Sequence, residues 1–152
     1  MKQIIELRDI SKSFGELKVL DNVDLSIQSG QTTVILGESG TGKSVLLKII
    51  VGLIQPDRGT VMFENNNLAD LSSEELARAR VKFGFLFQGG ALFDSMTAGD
   101  NVAFPLRRHT QMTEKQIKQI VHNKLALVGL AETENKMPGN LSGGQKKRVA
   151  LA

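Results

Sequence analysis

Gly37-Glu38-Ser39-Gly40-Thr41-Gly42-Lys43-Ser44 lies between an apolar run, Thr33-Val34-Ile35-Leu36, and a helix-like segment, Val45-Leu46-Leu47-Lys48-Ile49-Ile50. The spacing is G-x-x-x-x-G-K-[ST], in the strand-to-helix setting that gives this pattern a mechanism. Glycines let successive backbone N–H groups turn into one concavity, a nest for an anion. The helix that follows adds its own unpaired N–H groups and the positive end of its dipole. Lys43 supplies a mobile ammonium for the outer phosphates, and the Ser44 hydroxyl is suited to a magnesium ion. A glycine-rich turn that merely starts a helix is the plainer alternative, but the flanking strand and helix patterns favour phosphate binding.

Working outward, the 152 residues suit a single domain with a real core. Hydrophobic residues make up 41% and charged residues 23%, which is ordinary for a globular protein. The net charge of +3 is mild, and a phosphate site accounts for part of it, so it argues little for nucleic acid. Without cysteine there is neither a disulfide nor a thiolate metal site, in keeping with a reducing compartment. His109 and His122 have no cysteine nearby and read as surface residues rather than zinc ligands. The N-terminus, Met1-Lys2-Gln3-Ile4-Ile5-Glu6, meets charge too early for a secretory signal. The longest apolar run, Val45 to Ile54, is interrupted by Lys48 and too short to cross a bilayer. Any role at a membrane therefore passes through a partner chain.

Upstream of the phosphate loop, Ile4 to Ile10 partly alternates and Val23 to Ile27 alternates more strictly, so both predict half-buried strands, closed by a turn at Ser29-Gly30. Between them Phe14 reads as core when taken alone; beside a nucleotide site it reads as a platform for a flat base, with Val19 packing next to it. Downstream, Gln55 to Gly59 predicts a turn, Gly59 to Phe63 a short strand, and Asn65-Asn66-Asn67 another turn. Ser72 with Glu75 forms a capping box for a helix over 73–80. Phe83-Gly84-Phe85-Leu86-Phe87 predicts a buried strand that ends at Gln88-Gly89-Gly90. Thr113 and Gln116 form a second capping box, and Ile117, Ile120, Val121, Leu125 and Val128 fall on one face of the helix that Gly129 ends. Asn135 to Asn140 reads as a loop. Leu141-Ser142-Gly143-Gly144-Gln145 then opens an amphipathic stretch, where a serine and two glycines at a helix start are a plain cap when read alone.

With these stretches in order, the sequence resembles the ATP-binding subunits of ABC transporters over essentially its whole length. The phosphate loop corresponds to Walker A, Gln88 to the Q-loop, and Leu141 to Gln145 to the LSGGQ signature. Phe14 falls where that family usually carries a tyrosine against adenine, a change that keeps the stacking face and loses the hydroxyl. The runs Phe87 to Thr97 and Asn101 to Arg107 resemble the Mla/Mce-type branch, which energises phospholipid movement in bacterial envelopes.

The resemblance implies an α/β fold: a P-loop NTPase core with an antiparallel β-subdomain and an inserted α-helical subdomain. One incomplete ATP-binding domain is expected, with the β-subdomain and P-loop core at 1–88, a helical subdomain at 89–140, and the signature motif with the start of its helix at 141–152. It implies ATP and Mg2+ as cofactors, with catalytic roles for Lys43 and Gln88. ATP is expected against Phe14, Val19, Gly37, Glu38, Ser39, Gly40, Thr41, Gly42, Lys43, Ser44 and Val45. From a second copy, Ser142, Gly143, Gly144 and Gln145 are expected to cover it in an isologous pair. Ser44 and Gln88 are the implied metal ligands. A transmembrane permease, a homodimer partner and a lipid-binding periplasmic protein are the implied partners, at the cytoplasmic face of the inner membrane, with no nucleic acid.

The family's Walker B strand, D-loop and switch histidine have no counterpart in these residues, and Glu64 and Asp94 lie before the signature, where neither fits Walker B. The resemblance therefore describes a cassette lacking its C-terminal third, expected to bind nucleotide weakly and not to turn it over alone. Two other readings stay open: a nucleic-acid-associated ABC ATPase, and a module that binds nucleotide without hydrolysis.

Overall fold

The computed structural model describes residues 2–152; Met1, the first residue of the N-terminal stretch, lies outside them. The chain divides into two compact units, 1–83 and 84–152.

The first unit is built on a four-stranded antiparallel sheet. Strand β1 spans Gln3–Phe14, β2 Leu17–Gln28, β3 Arg58–Phe63 and β4 Asn66–Asn67, in the order β2-β1-β3-β4. The imperfect alternation of β1 has a physical cause. Leu7 and Ile10 are both buried although three positions apart, which a regular pleat would put on opposite faces. Asp9, at φ 55°, carries a bulge between them, and its N–H donates to Asp24 Oδ1 at 2.7 Å. Helix α1, Lys43–Ile50, buries Leu46, Ile49 and Ile50 on one face. Helix α2, Ser73–Val81, begins at the expected capping box, with Ser72 accepting from the Glu75 N–H and Glu75 accepting from the Ser72 N–H.

Two expected strands are absent. Thr33–Leu36 is irregular, with Val34 69% and Leu36 87% exposed. The run Phe83 to Phe87 is likewise irregular, and Leu86 is half exposed. A continuous apolar strand of this kind belongs inside a sheet, with a neighbour on each side to take its backbone bonds. None of the four described strands pairs with either run. The turn read at Asn65–Asn67 is also narrower than expected: Glu64 and Asn65 make it, at φ 49° and 68°, while Asn66 and Asn67 pair with Phe63 and Met62.

The second unit is helical. Helix α3 spans Ala98–His109, α4 Glu114–Leu127 and α5 Gly143–Leu151. Ala98, Val102, Ala103, Ile117, Val121, Leu125, Leu130, Leu141 and Val149 form its core. The apolar stripe read from the sequence is thus the buried face of α4, and its capping box, Thr113 with Gln116, is present. Helix α3 falls within the helical subdomain expected at 89–140, although the sequence reading gave it no bounds of its own; it carries Pro105 inside it, and Thr97 caps it by accepting from the Asp100 N–H. The segment read as a loop at 135–140 contains one 3-10 turn, Pro138–Asn140. The described residues are mixed α/β, with an antiparallel sheet and five α-helices.

Candidate functional site

In the first unit the Gly37–Ser44 loop leads directly into α1. Gly42 is the residue before the helix, in the left-handed conformation at φ 86°, and no side chain caps the helix there. The first-turn N–H groups of α1 are therefore not taken up by a cap, which is what an anion at a helix start requires. A β-carbon on Gly42 would lie 2.9 Å from Val19 Cγ1, from the Val19 carbonyl and from Leu20 Cδ2. Only glycine meets both the dihedral and the space.

The Lys43 ammonium folds back over the loop rather than out to solvent. It donates to Gly37 O at 2.8 Å and also to Glu38 O, with Thr41 Oγ1 at 3.4 Å. Thr41 Oγ donates to Glu38 O at 2.9 Å, so the threonine braces the same turn. Its bracing role went unnoticed in the sequence; the only signal was a hydroxyl residue between two glycines. Glu38, Ser39, Gly40 and Ser44 are exposed, and Val45 is half-buried. The loop thus presents main-chain donors, one ammonium and the exposed hydroxyls of Ser39 and Ser44.

Phe14 ends β1 and is 49% exposed, and Val19 is half-buried nearby in β2. Neither is sealed into the core, so the reading of Phe14 as a core residue does not hold.

In the second unit Gln88 does not end a strand, as expected. It sits exposed in a turn with Gly89, closed by the Gly90 N–H donating to Phe87 O at 2.9 Å. Its carboxamide is thereby open to solvent. Ser142 is the N-cap of α5: its Oγ accepts from the Gln145 N–H at 3.2 Å, and Gln145 Oε1 accepts from the Ser142 N–H at 2.8 Å. Gln145 Oε1 is thus committed to this reciprocal pair, which does not involve its Nε2. Gly143 and Gly144 are exposed, with open space where side chains would be, and Leu141 is buried as the anchor beneath them. The plain helix cap and an outward-facing tip of main-chain donors coexist here.

ATP fits the loop by the chemistry of its donors. A magnesium ion fits Ser44 in the same sense, since this ion takes only one or two protein oxygens and fills its octahedron with water and phosphate. Accordingly it needs no acidic cage, and among the described residues no group of three or more His, Cys, Asp or Glu is placed to form one. Among the same residues, no helix is long and apolar enough to cross a membrane.

Known proteins give the following matches. The ABC transporter family profile matches residues 20–152. Over 148 residues, 97% of this chain and 41% of the relative, the sequence is 49% identical to the probable ribonucleotide transport ATP-binding protein mkl of Mycobacterium tuberculosis. Over 149 residues, 98% of this chain and 55% of the relative, it is 42% identical to the intermembrane phospholipid transport system ATP-binding protein MlaF of Escherichia coli. Among solved structures, the ATP-binding cassette MJ0796, in a dimeric post-hydrolysis state bound to ADP and Pi, superposes with a TM-score of 0.90 at 36% identity, covering 97% of this chain and 67% of that one. The chain spans between 41% and 57% of the length of the curated relatives it matches.

Proposed function

The chain belongs to the ABC transporter family, and from that membership we propose that it is the ATP-binding part of a transporter motor that couples ATP binding and hydrolysis to phospholipid movement through a membrane permease. The observation that carries this is the phosphate loop: an uncapped helix start, a glycine that no other residue could replace, and an ammonium held over the turn. Bound ATP with Mg2+ would supply the phosphoanhydride whose cleavage drives the cycle.

The roles proposed for this chain's residues follow from their chemistry. The main chain of 37–44 binds the phosphates, and Lys43 exchanges its loop carbonyls for phosphate oxygens, losing little because it is already oriented. Ser44 holds the metal. Phe14 and Val19 take the base. Gln88, exposed on its turn, is proposed to orient water or touch the metal without adding charge. In a second copy of the chain, Ser142, Gly143 and Gly144 are proposed to donate to the same nucleotide, so that ATP favours the closed pair. The dimeric state of the MJ0796 cassette supports a pair of this kind.

Cargo is the finer part of the proposal. One relative is named for phospholipid transport and another for ribonucleotide transport. Phospholipid is favoured here because the runs 87–97 and 101–107 resemble the lipid branch. A permease and a lipid-binding periplasmic protein are the proposed partners, at the cytoplasmic face of the inner membrane. Names tied to transport weigh against the nucleic-acid alternative.

The test uses the motor reconstituted with its permease in proteoliposomes. ATP-dependent transfer of a fluorescent phospholipid, lost with Lys43→Ala, is the expected result. Transfer that persists in Lys43→Ala, or ATP-dependent uptake of ribonucleotide with no lipid movement, would overturn the mechanism and the cargo respectively.

A further inference from the structure

We propose that Asp57, in the turn between α1 and β3, is a positioning residue for base recognition, holding the end of β1 so that Phe14 presents its ring to a purine. The inference rests on the nucleotide-binding function proposed above. Asp57 grips three consecutive residues of β1. Its N–H donates to Ser11 O at 2.9 Å, Lys12 Nζ donates to its Oδ1 at 2.6 Å, and the Ser13 N–H donates to its Oδ2 at 2.7 Å. Phe14 is the next residue along.

The grip falls where the sheet is weakest. On its β3 side, β1 has a register shift after Arg8, and the last pair is Ser11 with Arg58. Beyond Ser11 the strand pairs only with β2, and that ladder shifts again between Lys12 and Ser13. The Asp57 carboxylate therefore stands in for a missing partner strand, taking the Ser13 N–H that β3 does not reach. It also fixes a cation. Lys12, 16% exposed, has its ammonium both on Asp57 and 5.5 Å from the centre of the Phe14 ring. One carboxylate thus sets the backbone before Phe14 and the charge over its ring, while about half of the phenylalanine surface stays open for stacking. The Lys12 ammonium, and after it the Ser13 N–H, hold the Asp57 carboxyl below its ordinary range, so it is ionised at neutral pH.

Calorimetric titration of the purified protein with ATP, and with inorganic tripolyphosphate as a ligand that has phosphates but no base, tests this. Asp57→Ala should weaken ATP binding about fivefold to tenfold, as expected for a displaced aromatic platform, and leave tripolyphosphate binding unchanged. Asp57→Asn, which keeps an acceptor for the Ser13 N–H and gives up the ion pair, should fall between. The double variant Phe14→Ala/Asp57→Ala should bind ATP no more weakly than Phe14→Ala alone. Equal losses for both ligands in Asp57→Asn, or losses that add in the double variant, would reduce Asp57 to a fold element and overturn the proposal. Undiminished ATP binding in Phe14→Ala would instead remove the base platform itself, and failure of the unaltered protein to bind either ligand would remove the phosphate site.

Discussion

Val19 in β2 and Gly42 at the head of α1 are packed so closely that the glycine has no room for a methyl group: the Val19 carbonyl and Cγ1 both lie 2.9 Å from where its β-carbon would be. The phosphate loop is therefore seated directly on the antiparallel sheet. Gly42→Ala must relieve a left-handed dihedral and push back main chain at once. We expect a loss of more than about 2 kcal/mol in stability together with loss of nucleotide binding, measured by urea unfolding and titration. A melting point unchanged in Gly42→Ala would contradict the packing.

Ser142→Ala removes the cap of α5 while leaving the glycines in place. The expected cost is about 1 kcal/mol, seen as a lower thermal midpoint. Gln145→Ala, which breaks the other half of the box, should cost somewhat less. In the proposed dimer the serine change should also weaken ATP-dependent self-association, followed by analytical ultracentrifugation.

Asn101 holds the turn that precedes α3 with its whole side chain. Its Oδ1 accepts from the Phe93 N–H at 2.7 Å, and its Nδ2 donates to the carbonyls of Phe93, Met96 and Thr97. Asn101→Asp should therefore be worse than Asn101→Ala, because it sets a carboxylate against three carbonyl oxygens, whereas in the alanine variant the Phe93 and Thr97 carbonyls still accept from the Met96 and Asn101 N–H groups. Denaturation midpoints in the order unaltered, Ala, Asp are expected; a midpoint for Asp above that for Ala would contradict this account.

Arg107 joins α3 to the start of α4, pairing at 2.9 Å with both Asp100 and Glu114. Its guanidinium holds both carboxyls below their ordinary range, helped at Asp100 by the Thr97 hydroxyl. Folding thus favours the ionised carboxylates. Their contribution is complete above the unfolded pKa values near about 4 and is lost as the pH falls through the folded ones. Arg107→Met should lower the urea midpoint at pH 7, and the difference from the unaltered protein should shrink as acid is added. A difference that grows toward low pH would reverse the sign assigned here.

How much of this was legible in the sequence depended on distance along the chain. The capping boxes at Ser72 and Thr113 were read correctly because every partner lies within one helical turn. The bounds of helix α3, inside the helical subdomain expected at 89–140, were not drawn, though Thr97 and Asp100 ahead of Val102, Ala103 and Leu106 carried the signal. The strands expected at 33–36 and 83–87 failed for the opposite reason: apolar composition can be read locally, whereas a pairing partner cannot. The clamp at Asp57 was invisible in principle, since Ser11, Lys12 and Ser13 are brought to it only by the pairing of β1 with β3. In the candidate site, a loop over 37–44 running into a helix was plain from spacing, but the return of Lys43 onto its own loop was not.

Val34, Leu36, Leu86 and Phe87 all face water in runs of β-forming residues that have found no sheet. Such segments are what chaperones bind and what nucleates precipitation when a nascent chain lingers half-made.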